Sequence, residues 1–172
     1  MPLNPAIAER RFDRDAIVDE RDELIVEDEA TALDTPWQTT MALIGRLLIA
    51  AIFLMSGIAK LTDTPGTVAH MTAAGIPYAD TLAIVAGVAE ILGALSLVLG
   101  MLTRLGAAGL FVYMIPTTLI FHAFWNSEGP ERLTQMVNFM KNLALMGGLA
   151  TLMAVGARRF SVDHRIRRAR AR

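Results

Sequence analysis

The most constraining feature of this chain is the run Asp80–Arg104, DTLAIVAGVAEILGALSLVLGMLTR. It is apolar for about twenty residues, with a single carboxylate, Glu90, near its middle. At about 1.5 Å per residue, such a run crosses a hydrocarbon layer of about 30 Å. An ionised group at that depth costs about 3 kcal/mol unless something pairs with it. On a helix Ala83, Gly87, Glu90 and Ala94 share one face, so the acid lies on a stripe of small residues. Small residues let a second helix approach closely, so Glu90 is expected to look into a bundle rather than at lipid.

Three further segments resemble it in length and apolarity. The spans are expected at about residues 41–61, 79–100, 104–125 and 133–156. In a bilayer the backbone must satisfy its own hydrogen bonds, so each should be helical. The fold class is therefore all-α: a four-helix transmembrane bundle over residues 37–160, with a charged N-terminal extension and a basic C-terminal tail. Pro116 is expected to kink the third span, with Thr117 or Thr118 helping to satisfy freed groups. Between the first two spans, the turn signals TDTPG and GIP leave room for a short surface helix around residues 68–74.

The formal net charge of −1 hides a segregation. Most of the acids lie in the first forty residues, and seven arginines against Asp163 lie in the last sixteen. Residues 1–36 read as an acidic, largely flexible extension, with a docking segment for a soluble partner as the alternative. Trp37 reads as an interfacial anchor. Residues 161–172 read as a basic tail of the kind that fixes topology and meets anionic lipid, not nucleic acid. The positive-inside rule puts that tail in the cytoplasm, and an even number of spans puts the amino terminus there too. No apolar core of a secretory signal stands at the start. With no cysteine, the chain has no disulfide scaffold, thiol chemistry or cysteine metal site.

With this orientation Glu90 lies about 15 Å below the outer end of its span, and Lys141 about 12 Å below that of the fourth. A Glu90–Lys141 ion pair is thus geometrically allowed, with Asn142 beside it; helix order decides between Lys141, Lys60 and Arg46 as the partner. Ser56 and Lys60 share a face at i, i+4 spacing, and His122 stands at the outer end of the third span. Together these groups outline a polar funnel ending at Glu90. The plainer readings make Lys60 and Arg104 boundary residues that reach the interface. They make His122 a hydrogen-bonded interfacial residue without metal, Gly147 and Gly148 close helix packing, and the charged pair a lock on helix register. Arg46 falls near the cytoplasmic end of the first span.

The order of GRLLIAAIFLMSGIAKL, GIP, the Glu90 span ending LGMLTR, FHAFW, NFMKNLALMGGL and FSVD resembles the DoxX family of small four-helix membrane proteins, over about Gly45–Asp163. The matching positions are Arg46, Ser56, Gly57, Lys60, Glu90, Gly93, Gly100, Arg104, His122, Lys141, Asn142, Gly147 and Gly148. The resemblance implies a prokaryotic plasma-membrane protein. Some members resemble a subunit of thiosulfate:quinone oxidoreductase, and others are linked to membrane complexes for oxidative stress and thiol balance. The acidic extension is not part of the family pattern.

Three functions follow as expectations. In the first, the chain is a quinone-linked component with no intrinsic cofactor but a bound quinone. Glu90, Lys141 and His122 act on protons, and Ser56, Lys60 and Asn142 hold the ligand. Since no pattern here binds flavin, haem or iron–sulfur, electrons require a soluble or membrane redox partner. In the second, the chain is a non-catalytic scaffold recruiting a soluble enzyme. In the third, it is a small transporter, which four short spans without inverted repeats make plausible only as a homo-oligomer.

Overall fold

The computed structural model describes residues 35–157 together with 161, 162 and 165. The acidic extension and most of the basic tail therefore lie outside the described residues. The chain divides into two units, Met1–Thr39 and Thr40–Arg172. In the first, Thr35 and Gln38 form a reciprocal capping box: the Gln38 amide donates to Thr35 Oγ1, and the Thr35 amide donates to Gln38 Oε1. Pro36 takes the first helical position, where its missing donor costs nothing. The helix thus starts one turn before the expected span.

The described residues form five α-helices, α1 (Pro36–Thr62), α2 (Thr64–Ala73), α3 (Ala79–Leu99), α4 (Thr103–Phe121) and α5 (Gly129–Val155), with a 3₁₀ turn at Phe124–Asn126. Three segments, α1, α3 and α4 with its 3₁₀ extension, are long and apolar enough to cross a membrane. Helix α5 has the length of α1 but is interrupted by Asn138, Lys141 and Asn142. Large apolar side chains such as Leu48, Met55, Leu92, Leu105 and Val112 stand exposed, as a lipid-facing surface requires. Helix α3 is the most enclosed: 39% of its apolar window is buried, against 22% for α1 and 22% for α4 with its extension.

One core draws on all four long helices: Ala50 and Phe53 of α1, Ala94 and Leu97 of α3, Leu110 and Met114 of α4, and Leu149 of α5. Glycines set the closest approaches. A Cβ on Gly57 would lie 2.8 Å from the Gly87 carbonyl oxygen, one on Gly93 2.6 Å from Leu110, and one on Gly148 2.8 Å from Ile49. Gly147 meets nothing within 4 Å, so only the second glycine of that pair packs, because neighbours on a helix point about 100° apart.

Helix α2 begins earlier than residues 68–74 because Asp63 caps it, its Oδ1 accepting the Gly66 amide at 3.0 Å, with Pro65 in the first turn. TDTPG is thus a helix start rather than a turn. Met71 of α2 is buried with Ala79, Ala83 and Ala86 of α3, which lays the short helix over one end of the unit. Helix α4 runs through Pro116 to Phe121, and the Thr117 hydroxyl donates to the Tyr113 carbonyl at 2.9 Å.

Candidate functional site

The predicted face of α3 is buried as a whole, Ala83, Gly87, Glu90 and Ala94 included. Glu90 is 3% exposed, and its cation is Lys60, not Lys141. Lys60 Nζ donates to both carboxylate oxygens, at 3.0 and 3.1 Å, and to Ser56 Oγ at 2.7 Å. This replaces the Glu90–Lys141 pair that depth allowed with the Lys60 alternative, and corrects the reading of Lys60 as a boundary residue. The reason lies in helix direction. Side chains lean toward the amino terminus of their helix. Helix α1 runs toward the α2 end, so Lys60 leans back down into the unit; α3 runs the other way, so Glu90 leans up to meet it. The Gly57–Gly87 approach brings the two backbones close enough for this contact. Lys141 lies on an exposed side of α5, while Asn142, one residue on, is half-buried and donates to Thr118 Oγ1 at 3.0 Å.

The ion pair forms one wall of a cavity of about 260 Å³ beneath α2. Six of the residues singled out in the sequence, Ser56, Lys60, Glu90, Thr117, His122 and Asn142, line it. His122 closes α4, its amide donating to the Thr118 carbonyl, and its Nδ1 lies 2.9 Å from Gln135 Oε1 of α5. An amide oxygen only accepts, so Nδ1 carries the hydrogen, and in the neutral ring Nε2 is left as the acceptor. Sequence reasoning missed two members of the cavity. Tyr113, one helical turn before Thr117, lies where its phenol interacts with both Glu90 and Thr117. His70 of α2 stacks on Phe121, with ring centroids 4.8 Å apart. The signal for Tyr113 was its spacing from Thr117 and Phe121; for His70 it was the cap at Asp63, which starts α2 early enough to include it.

The remaining candidates gather at the opposite end. Arg46 is buried. A Cβ on Gly100, at φ +65°, would meet both Arg46 Nη1 and Ser161 Cβ. Arg104 Nη2 donates to the Ala154 carbonyl in the last turn of α5 at 3.2 Å, so this arginine caps a helix rather than only marking a boundary. Among the described residues, no three His, Cys, Asp or Glu side chains are grouped as a metal would need. The cavity offers a carboxylate that accepts, an ammonium, an amide and hydroxyls that donate, and imidazoles that do either. That set suits proton exchange with an uncharged, oxygen-bearing ligand.

The DoxX family pattern matches residues 41–123. The chain is 34% identical over 125 residues to the inner membrane protein YphA of Escherichia coli, covering 73% of this chain and 89% of that one. It is 33% identical over 122 residues to the inner membrane protein YqjF of the same organism, covering 70% and 88%. No solved structure matches it. The matched stretch takes in most of α1 and all of α2–α4 with Ser56, Lys60, Glu90 and His122, and on these grounds the chain is an integral membrane protein of the DoxX family.

Proposed function

We propose that this protein is the quinone-handling membrane component of an oxidoreductase complex, crossing the bilayer four times with both termini in the cytoplasm. The observation that carries the reading is the Lys60–Glu90 pair on the wall of a half-open cavity between apolar helices. Two opposite charges inside an apolar unit are costly, and such groups usually mark proton or ligand pathways. The fourth span is α5, whose polar residues Gln135 and Asn142 bond inward to His122 and Thr118. The topology rests on the arginine-rich carboxy-terminal sequence.

Oxidation of a quinol to a quinone releases two protons and two electrons. Glu90 takes one phenolic proton, Lys60 and Tyr113 steady the oxygen that loses it, and Asn142 holds the ring. The second proton leaves by way of His122 and His70 toward the α2 end. The two electrons would go to an oxidised redox group held by a partner subunit, since this chain shows no pattern that binds one.

The test is mass spectrometry of lipid-soluble molecules co-purifying with the wild type, Glu90→Gln and the double variant Glu90→Gln/Lys60→Met. The double variant removes both charges, so its folding does not hinge on a stranded lysine. Quinone at one per chain in the wild type, absent from the still-folded double variant, is the expected result. A quinone-free wild type sinks the proposal.

A further inference from the structure

The cavity at Glu90 is too small for a whole membrane quinone. Its volume, about 260 Å³, suits a ring but not a ring with a long isoprenoid tail. If the head enters, the tail must lie elsewhere. A second hollow, of about 510 Å³, runs between α3 and α4 on the exposed side of the unit. It follows α4 from Leu102 to Tyr113, about 16 Å at roughly 1.5 Å per residue. Its walls are apolar: Leu92, Leu95, Leu99 and Leu105 are all exposed along it. Its one serine, Ser96, already donates to the Met101 carbonyl at 2.7 Å, so the hydroxyl has little left to offer a ligand. The remaining polar side chain is Tyr113, and Tyr113 also lines the Glu90 cavity.

We infer that the α3–α4 groove seats the isoprenoid tail of the quinone whose ring occupies the Glu90 cavity, with Tyr113 at the junction. This rests on the quinone reading above. Because Tyr113 lines both hollows, a ring in the cavity and a chain in the groove would be neighbouring parts of one amphiphile. Gly109 is the key to the groove: it lines the hollow, and a Cβ built on it meets nothing within 4 Å. A large side chain there fills the space a tail would take without pressing on the backbone. Replacing a helical glycine also favours the helix.

The experiment uses the full chain in lipid nanodiscs and an isoprenyl benzoquinone bearing a diazirine on its tail. Photolabelled sites are mapped by peptide mass spectrometry in the wild type, in Gly109→Leu and in Gly147→Leu, the last being an equally open glycine on α5. Adducts are expected at Leu92, Leu95 and Leu105. Excess unlabelled quinone should compete them away, and Gly109→Leu should lower them about tenfold, a loss of about 1.4 kcal/mol, with no effect from Gly147→Leu. Adducts spread evenly over lipid-facing residues such as Leu48 and Leu143, while one quinone per chain is retained, overturn the groove but leave the Glu90 reading standing. Absence of retained quinone in the wild type overturns both. Unchanged labelling in Gly109→Leu overturns the inference, whether or not the particle's mass changes.

Discussion

The two ends of the helical unit are both polar, yet they use polarity differently. At the α2 end, Lys60, Ser56 and Glu90 bond to one another across two helices and border a cavity that His122, Tyr113 and Asn142 also line. At the opposite end, Arg104 closes the last turn of α5, and Arg46 and Ser161 press against the left-handed turn at Gly100. Buried charge is therefore not by itself the mark of a site in this protein. The α2 end is distinguished by charged groups that face a cavity of about 260 Å³. Had both ends the same role, equivalent changes at each would have the same consequences.

The largest expected effect follows from removing the cation of the enclosed pair. Lys60→Met strands Glu90 in an apolar setting, and breaking a buried pair from one side costs about 3–5 kcal/mol. Lys60 is 22% exposed along its side chain, which places the expected loss toward the lower figure. Thermal unfolding in detergent should show a large drop for Lys60→Met and partial recovery in Lys60→Met/Glu90→Gln, since the double change leaves no unpaired charge. Equal drops in the single and double variants would mean that the pair is not a coupled unit.

That pairing shows where sequence reading ends. Three of the four expected spans were legible because length and composition report a span directly, and Glu90 stood out as an acid where none belongs. Its partner did not, because depth alone allowed Lys141. The choice depends on which way each helix runs and leans, and on Gly57 meeting Gly87. Gly147 and Gly148 are indistinguishable as letters, yet one packs and the other faces open space. Tyr113 was hidden for a different reason: a tyrosine in an apolar helix is ordinary, and its importance comes only from standing beside Glu90.

Next in size are two glycine changes, one at each end. Gly57→Ala puts a Cβ within 2.8 Å of the Gly87 carbonyl oxygen, which cannot move without shifting α3. Overpacking of this kind costs about 1–3 kcal/mol. It also draws Lys60 away from Glu90, so quinone retention should fall with stability. Gly100→Ala meets a left-handed backbone at φ +65° and a Ser161 contact at 2.6 Å, for a cost of about 1–2 kcal/mol. Retention should survive that change once samples are compared well below their unfolding midpoints. Loss of retention in both would erase the distinction between the ends.

The smallest expected effect belongs to Lys141, and it tests where the site stops. Lys141 and Asn142 are neighbours, but Asn142 turns inward to Thr118 while Lys141 stays on the exposed side among Val137, Met140 and Leu143, all of them exposed. Exposed substitutions away from special features change stability by about 0.5 kcal/mol or less. On an apolar face a methionine is the better match, so Lys141→Met should not lower the unfolding midpoint. Quinone retention should equal that of the wild type, and Glu90→Gln should act in this background as it does alone. If Lys141→Met instead lowers retention as far as Lys60→Met does, then both lysines serve Glu90, and the site extends onto the outer side of α5.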